Sequence, residues 1–190
     1  MDHNVITIVS GLPRSGTSMM MKMLHAGGMS VLSDGVRTAD VDNPKGYYEF
    51  ERVKQLEHDR DWLIDAQGKA VKIISALLEH LPSGYVYKII FMRRPLEEIL
   101  ASQRQMLIRR GEPTDRVSDD RLAALFRQHL AQVEAWLSER PHIEVIYVDY
   151  HDILENPDEQ VTRINQFLEN VLDVQNMTDV IDASLYRQRL

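Results

Sequence analysis

Cysteine is missing from all 190 residues, which excludes disulfides, thiolate chemistry and cysteine-type zinc sites together. Basic residues are in the minority, 22 Lys and Arg against 29 Asp and Glu, for a formal charge of −7. Nucleic-acid-coating surfaces are generally basic, so no nucleic-acid partner is expected. An anionic ligand would have to be held by local donors acting against the overall field. Long apolar runs are missing too. Stretches such as residues 89–92 and 145–148 fall far below the ~20 residues needed to cross a bilayer, so no membrane span is expected. The opening, MDHNVITIVSGLPRSG, lacks the basic start and small-residue cleavage site of a secretory signal. The expected location is the cytoplasm.

What remains is an ordinary globular composition, with 44% hydrophobic and 27% charged residues. A single domain over residues 1–190 is expected, without repeats or low-complexity segments. Short β-rich runs alternate with longer helical ones. Residues 5–9 (VITIV) are all β-branched and read as a buried strand, and residues 15–25 read as a helix stopped by Gly27-Gly28. Residues 30–46 read as a long loop, 47–67 as an amphipathic helix and 69–74 as a second strand. Residues 85–92 form a third strand, and Pro95 suits the first turn of the helix that follows. A further helix over 119–140, a last strand over 143–148 and a helix from Asn156-Pro157 to about 170 complete the pattern. Such alternation predicts an α/β fold of three layers, with a mainly parallel central sheet and helices on both faces. Ligands in such folds sit at the carboxyl ends of the strands.

The sharpest local signal lies there. Strand, then Gly11-Leu12-Pro13-Arg14-Ser15-Gly16-Thr17-Ser18, then helix is the arrangement of a phosphate loop. Inward-turned amides and a helix N-terminus form a nest for a tetrahedral oxyanion. A nucleotide triphosphatase would carry Lys where Thr17 stands, whereas here the cation, Arg14, is inside the loop. A second anion site is suggested by Arg93-Arg94 at the end of the third strand and Ser102 on the following helix. Together the two segments describe a ligand with two separated anionic groups.

Four segments in order, GLPRSGTSMM, AVKIISALLEHLP, YKIIFMRRPLEEILASQ and VIYVDYHDILENPDEQVTRINQFLE, resemble the sulfotransferase family. Its donor is 3′-phosphoadenosine 5′-phosphosulfate (PAPS). The resemblance implies that Gly11, Pro13, Arg14, Ser15, Gly16, Thr17 and Ser18 hold the 5′-phosphosulfate, with no metal required. It places Arg93 or Arg94 with Ser102 on the 3′-phosphate and Tyr150 near the adenine. The family usually spaces this Arg and Ser by eight residues, with Pro two after the Arg. Arg94 keeps the first interval and Arg93 the second, and Arg93 is preferred for its place at the strand end. The C-terminal SLYRQR resembles the end of bacterial members and brings in Arg187.

Sulfuryl transfer depends on positioning and charge stabilisation, by analogy with phosphoryl transfer. Arg14 is the first candidate cation, and Lys72, which aligns with the lysine of a Lys-Thr-His segment in cytosolic members, is the second. The His of that segment is here Ile74. Glu49, in a stretch Asn43-Pro44-Lys45-Gly46-Tyr47-Tyr48-Glu49 that resembles bacterial members, is the candidate base, with Asp34 and Asp42 as alternates. Residues 30–60 would face a small-molecule or flexible acceptor. His3, His25, His58, His80, His129, His142 and His151 show no metal-ligand spacing. Two other readings stay open. One is a small P-loop kinase using ATP and magnesium, with Asp149 at the end of an apolar strand. The other is a PAP- or PAPS-binding module without catalysis, suggested by Ile74.

Overall fold

Strand β1 (Val5–Gly11) is buried at every position, as befits a mostly apolar strand covered on both faces. The computed structural model describes residues 4–36 and 46–182. Strands β2 (Val31–Leu32), β3 (Ala70–Lys72), β4 (Val86–Arg93) and β5 (Ile143–Asp149) join β1 in one sheet of order β2-β3-β1-β4-β5. Every pairing is parallel, and the β1–β4 register runs from Val5 opposite Val86 to Gly11 opposite Met92. The fold is therefore the α/β architecture expected, with helices around a five-stranded parallel sheet.

The pleat sorts β1 between two cores. Val9 packs with Met20, Met21, Met23 and Leu24 of helix α1 (Thr17–Ala26), so the methionine run is a core face. Helices α5 (Tyr150–Glu155), α6 (Pro157–Phe167) and α7 (Val174–Asp179) complete that layer. Ile6 and Ile8 face the other way, toward Trp62, Leu63 and Ala66 on or beside the short helix α2 (Leu63–Ala66). Val133 and Leu137 of helix α4 (Asp119–Ser138) share that core. Helix α3 (Leu96–Arg109) links β4 to α4.

The segment expected as one helix over residues 47–67 is not one. Residues 46–50 are irregular, Glu51–Gln55 form a 3-10 turn, and only α2 is α-helical. Phe50, Val53 and Leu56 recur at intervals of three, a spacing that a 3-10 turn presents on one side. Tyr48 sits at φ 52, which no continuing helix allows, and the Trp62 indole N–H donates to Asp59 O at 3.0 Å where the chain turns. β2 went unread because two residues carry no periodicity. α5 went unread as well, because it follows β5 with no connecting residue.

Candidate active site at the strand ends

From Gly11 the chain turns to Gly16, the N-cap of α1. Arg14 at φ 72 and Gly16 at φ 101 alternate with ordinary residues and curl the backbone into a concave loop. A helix leaves its first amides without internal acceptors, and Gly16 has no side chain to cap them. Ser15 is fully buried, and its Oγ has no hydrogen-bond partner among the described residues. Unfilled donors of this kind at the start of a ten-residue helix fit a tetrahedral oxyanion.

Gly16 is also fixed by packing. A Cβ built there would lie 2.4 Å from Cδ2 of Tyr150. Gly16→Ala is expected to destabilise the protein by about 2–4 kcal/mol, through left-handed strain plus overpacking, as read by urea denaturation. The loss should be smaller in a Tyr150→Ala background, because the two sites touch.

The two candidate anion-binding segments meet. Arg14 Nε donates to Ser102 Oγ at 2.9 Å across 88 residues of sequence. Arg94 Nη1 donates to the Arg14 carbonyl at 3.2 Å, and Arg94 Nε donates to Glu98 Oε2 at 2.8 Å. The Arg94 guanidinium lies 4.8 Å from the centre of the Tyr150 ring. Burial pushes the Tyr150 phenol above its ordinary range, so it stays neutral. Glu98 is 2% exposed and takes a second hydrogen bond, 2.8 Å long, from His151 Nε2. With one buried carboxylate held between two partners, Arg94 is fixed in place.

Arg93 points elsewhere. Neighbouring residues of a strand face opposite sides of the sheet. Arg93 therefore pairs with Glu134 of α4 at 2.7 Å and lies over the Tyr147 ring at 3.9 Å. It rims a cleft of about 350 Å³ whose wall includes Leu12, Phe91, Leu130 and Asp149. Of the two arginines, Arg94 is the one that contacts Arg14 and Tyr150.

On the other side of β1, the end of β3 carries Lys72, only 9% exposed. Its Nζ donates to the Tyr47 carbonyl and lies 3.5 Å from both Ser18 Oγ and Glu49 Oε1. Lys72, Glu49 and a loop hydroxyl are thus brought together. Asp34 instead has both carboxylate oxygens on backbone amides, those of Glu51 and Val36. The Glu51 amide, above all, holds its carboxyl below the usual range. Asp42 and Arg187 lie outside the described residues. Ile74 is 42% exposed and offers no proton acceptor. One pair escaped the sequence reading. Buried Ser75, next to Ile74, shares a 2.8 Å hydrogen bond with His129 Nε2 of α4, and no local motif links residues 54 apart.

Comparison with known proteins bears on the family and the fold. The profile of the sulfotransferase family matches residues 37–173, a span that holds Glu49, Lys72, Arg94, Ser102 and Tyr150 and starts after the phosphate loop. No curated protein matches by sequence. Among solved structures, a sulfotransferase of Mycobacterium tuberculosis H37Rv superposes with a TM-score of 0.62 at 19% identity, covering 96% of this chain and 73% of that one. The sulfotransferase domain from the curacin biosynthetic pathway gives 0.51 at 15% identity, with 93% and 77% covered. A mouse sulfotransferase solved with PAP gives 0.52 at 14% identity, covering 97% of this chain and 64% of the mouse chain. At these identities the likeness speaks for the fold.

Proposed function

The chain belongs to the sulfotransferase family, and we propose that it transfers a sulfuryl group from PAPS to a small or flexible acceptor by in-line displacement. The observation that carries this reading is the Arg14–Ser102 contact. It joins the loop suited to one anion with the strand-end cluster suited to a second, as a donor with separate 5′ and 3′ groups needs. The mouse relative in complex with PAP supports the same donor.

In this reading the amides of the loop and of the first turn of α1 hold the 5′ group, together with Ser15, Thr17 and Ser18. Arg94 and Ser102 hold the 3′-phosphate, and Tyr150 borders the base. During transfer the bond from sulfur to the bridging phosphate oxygen breaks, and its electron pair stays on the departing PAP. A bond forms from sulfur to the acceptor oxygen or nitrogen, whose proton passes to Glu49. Arg14 neutralises charge gathering on the bridging oxygen, and Lys72 neutralises charge on the transferred group. No metal ion is given a part.

Calorimetric titration with PAP in the presence of a chelator tests the donor site, beside ATP with and without magnesium. Metal-independent PAP binding that weakens about tenfold or more in Ser102→Ala is expected, since a hydrogen bond to a charged group is lost. Magnesium-dependent ATP binding with no response to PAP would overturn the proposal.

A further inference from the structure

One carboxylate helps to fasten the segment that carries Glu49. Asp34, two residues beyond β2, accepts the Glu51 N–H on Oδ2 at 2.6 Å and the Val36 N–H on Oδ1 at 3.0 Å. Its own N–H donates to the Glu49 carbonyl at 3.1 Å. Residues 49 and 51 are therefore gripped from one side chain and one amide of the same residue. The neighbouring attachments are at Tyr47, whose carbonyl receives Lys72 and Ser18, and at Phe50, whose ring meets Trp62 edge-on at 5.4 Å. Between them Tyr48 stands at φ 52, a left-handed conformation that persists only when its surroundings hold it.

The Asp34 carboxylate is a poor proton acceptor, because each oxygen already takes a backbone amide, and these, the Glu51 amide above all, hold it ionised in spite of opposing desolvation. We infer that Asp34 is a positioning residue, which clamps the Glu49 segment so that the Glu49 carboxylate stays beside Lys72. It rests on the proposed sulfuryl transfer for its consequence. Asp34 would govern the transfer step and leave PAP binding nearly unchanged, because it touches neither the phosphate loop nor the Arg94 cluster and PAP lacks the group assigned to Lys72.

Two variants cut the clamp from opposite ends. Asp34→Asn removes the charge. Glu51→Pro removes the donated N–H at the first position of the 3-10 turn, where proline is tolerated. The preceding Phe50, at φ −128 and ψ 111, already has the extended conformation that proline requires before it. The first readout needs no turnover. In ligand-free protein, acylation of Lys72 by acetic anhydride, followed by peptide mass spectrometry, should accelerate about tenfold in both variants. Lys88, held by Phe167 O and Glu169 far from the clamp, is the internal reference. The second readout is a mutant cycle in PAPS turnover over a panel of alcohols, phenols and amines. Asp34→Asn should lower kcat about tenfold in the unaltered protein and not at all in a Glu49→Gln background. A merely structural role would lower both alike.

Unchanged Lys72 protection in both variants overturns the inference, and so does an equal loss of kcat in the two backgrounds. PAP calorimetry on the same samples separates this from the donor assignment. Absence of PAP binding in the unaltered protein sinks the assignment, whereas release of Lys72 still upholds the clamp.

Discussion

Arg14→Ala is expected to lower kcat/KM for PAPS by about 1000-fold, the scale of losing one preorganised charge at a developing oxyanion. The backbone is not the reason. Arg14 stands at φ 72, and both arginine and alanine carry the left-handed strain, so the exchange leaves the loop's conformational energy nearly unchanged. What disappears is the guanidinium that reaches Ser102 Oγ. Arg94 still touches the loop through the Arg14 carbonyl, a contact the substitution keeps. PAP affinity should therefore fall much less than turnover, by about tenfold, the value of one charge-assisted hydrogen bond. Arg14→Lys tests charge against geometry. It keeps the cation but has no planar fork with an Nε for Ser102, so it should recover only part of the rate. Equal losses in PAP affinity and in kcat/KM, with kcat unchanged, for Arg14→Ala would make Arg14 a binding residue alone.

The loop and its cation were legible because their signal is local. A buried strand, two glycines five residues apart and a helix pattern define the nest before any contact is known. The meeting of Arg14 with Ser102 was not legible, since it depends on β4 lying beside β1, a strand order that the alternation of elements does not fix. Lys72 and Glu49 were named separately, and the fold brings them within 3.5 Å.

The choice between Arg93 and Arg94 was not legible. It depends on the phase of the pleat at the last residue of β4, where one residue's shift exchanges the faces. Arg93 then faces Glu134 and Tyr147, and Arg94 faces the loop. The Asp34 clamp was hidden for another reason. Its partners are backbone amides, which every non-proline residue offers, so no side-chain pattern marks them. The same holds for residues 46–50. They take their conformation from contacts with Asp34, Lys72 and Trp62, while their apolar spacing suggested a helix.

Glu49→Gln is the prediction that bears most directly on chemistry. Kcat is expected to fall by about 100- to 10 000-fold with acceptors that must lose a proton to react, the usual worth of a positioned base. Glutamine keeps the size of the side chain and an oxygen for Lys72, so the segment should stay in place. PAP affinity should hold or rise, since a carboxylate near an anion site is removed. The decisive comparison is between acceptors. An acidic phenol such as 4-nitrophenol, assayed about a unit or more above its pKa, reaches the site largely ionised and has little proton to give, whereas an aliphatic alcohol has to surrender one as the bond to sulfur forms. A base at residue 49 therefore predicts a large loss with the alcohol and a small one with the phenol. Equal losses would mean that Glu49 orders Lys72 and that the proton leaves by another route. A candidate for such a route is His129, which meets Ser75 one residue beyond Ile74. His129→Ala would then be expected to reproduce the selective loss with the alcohol that Glu49→Gln had failed to show.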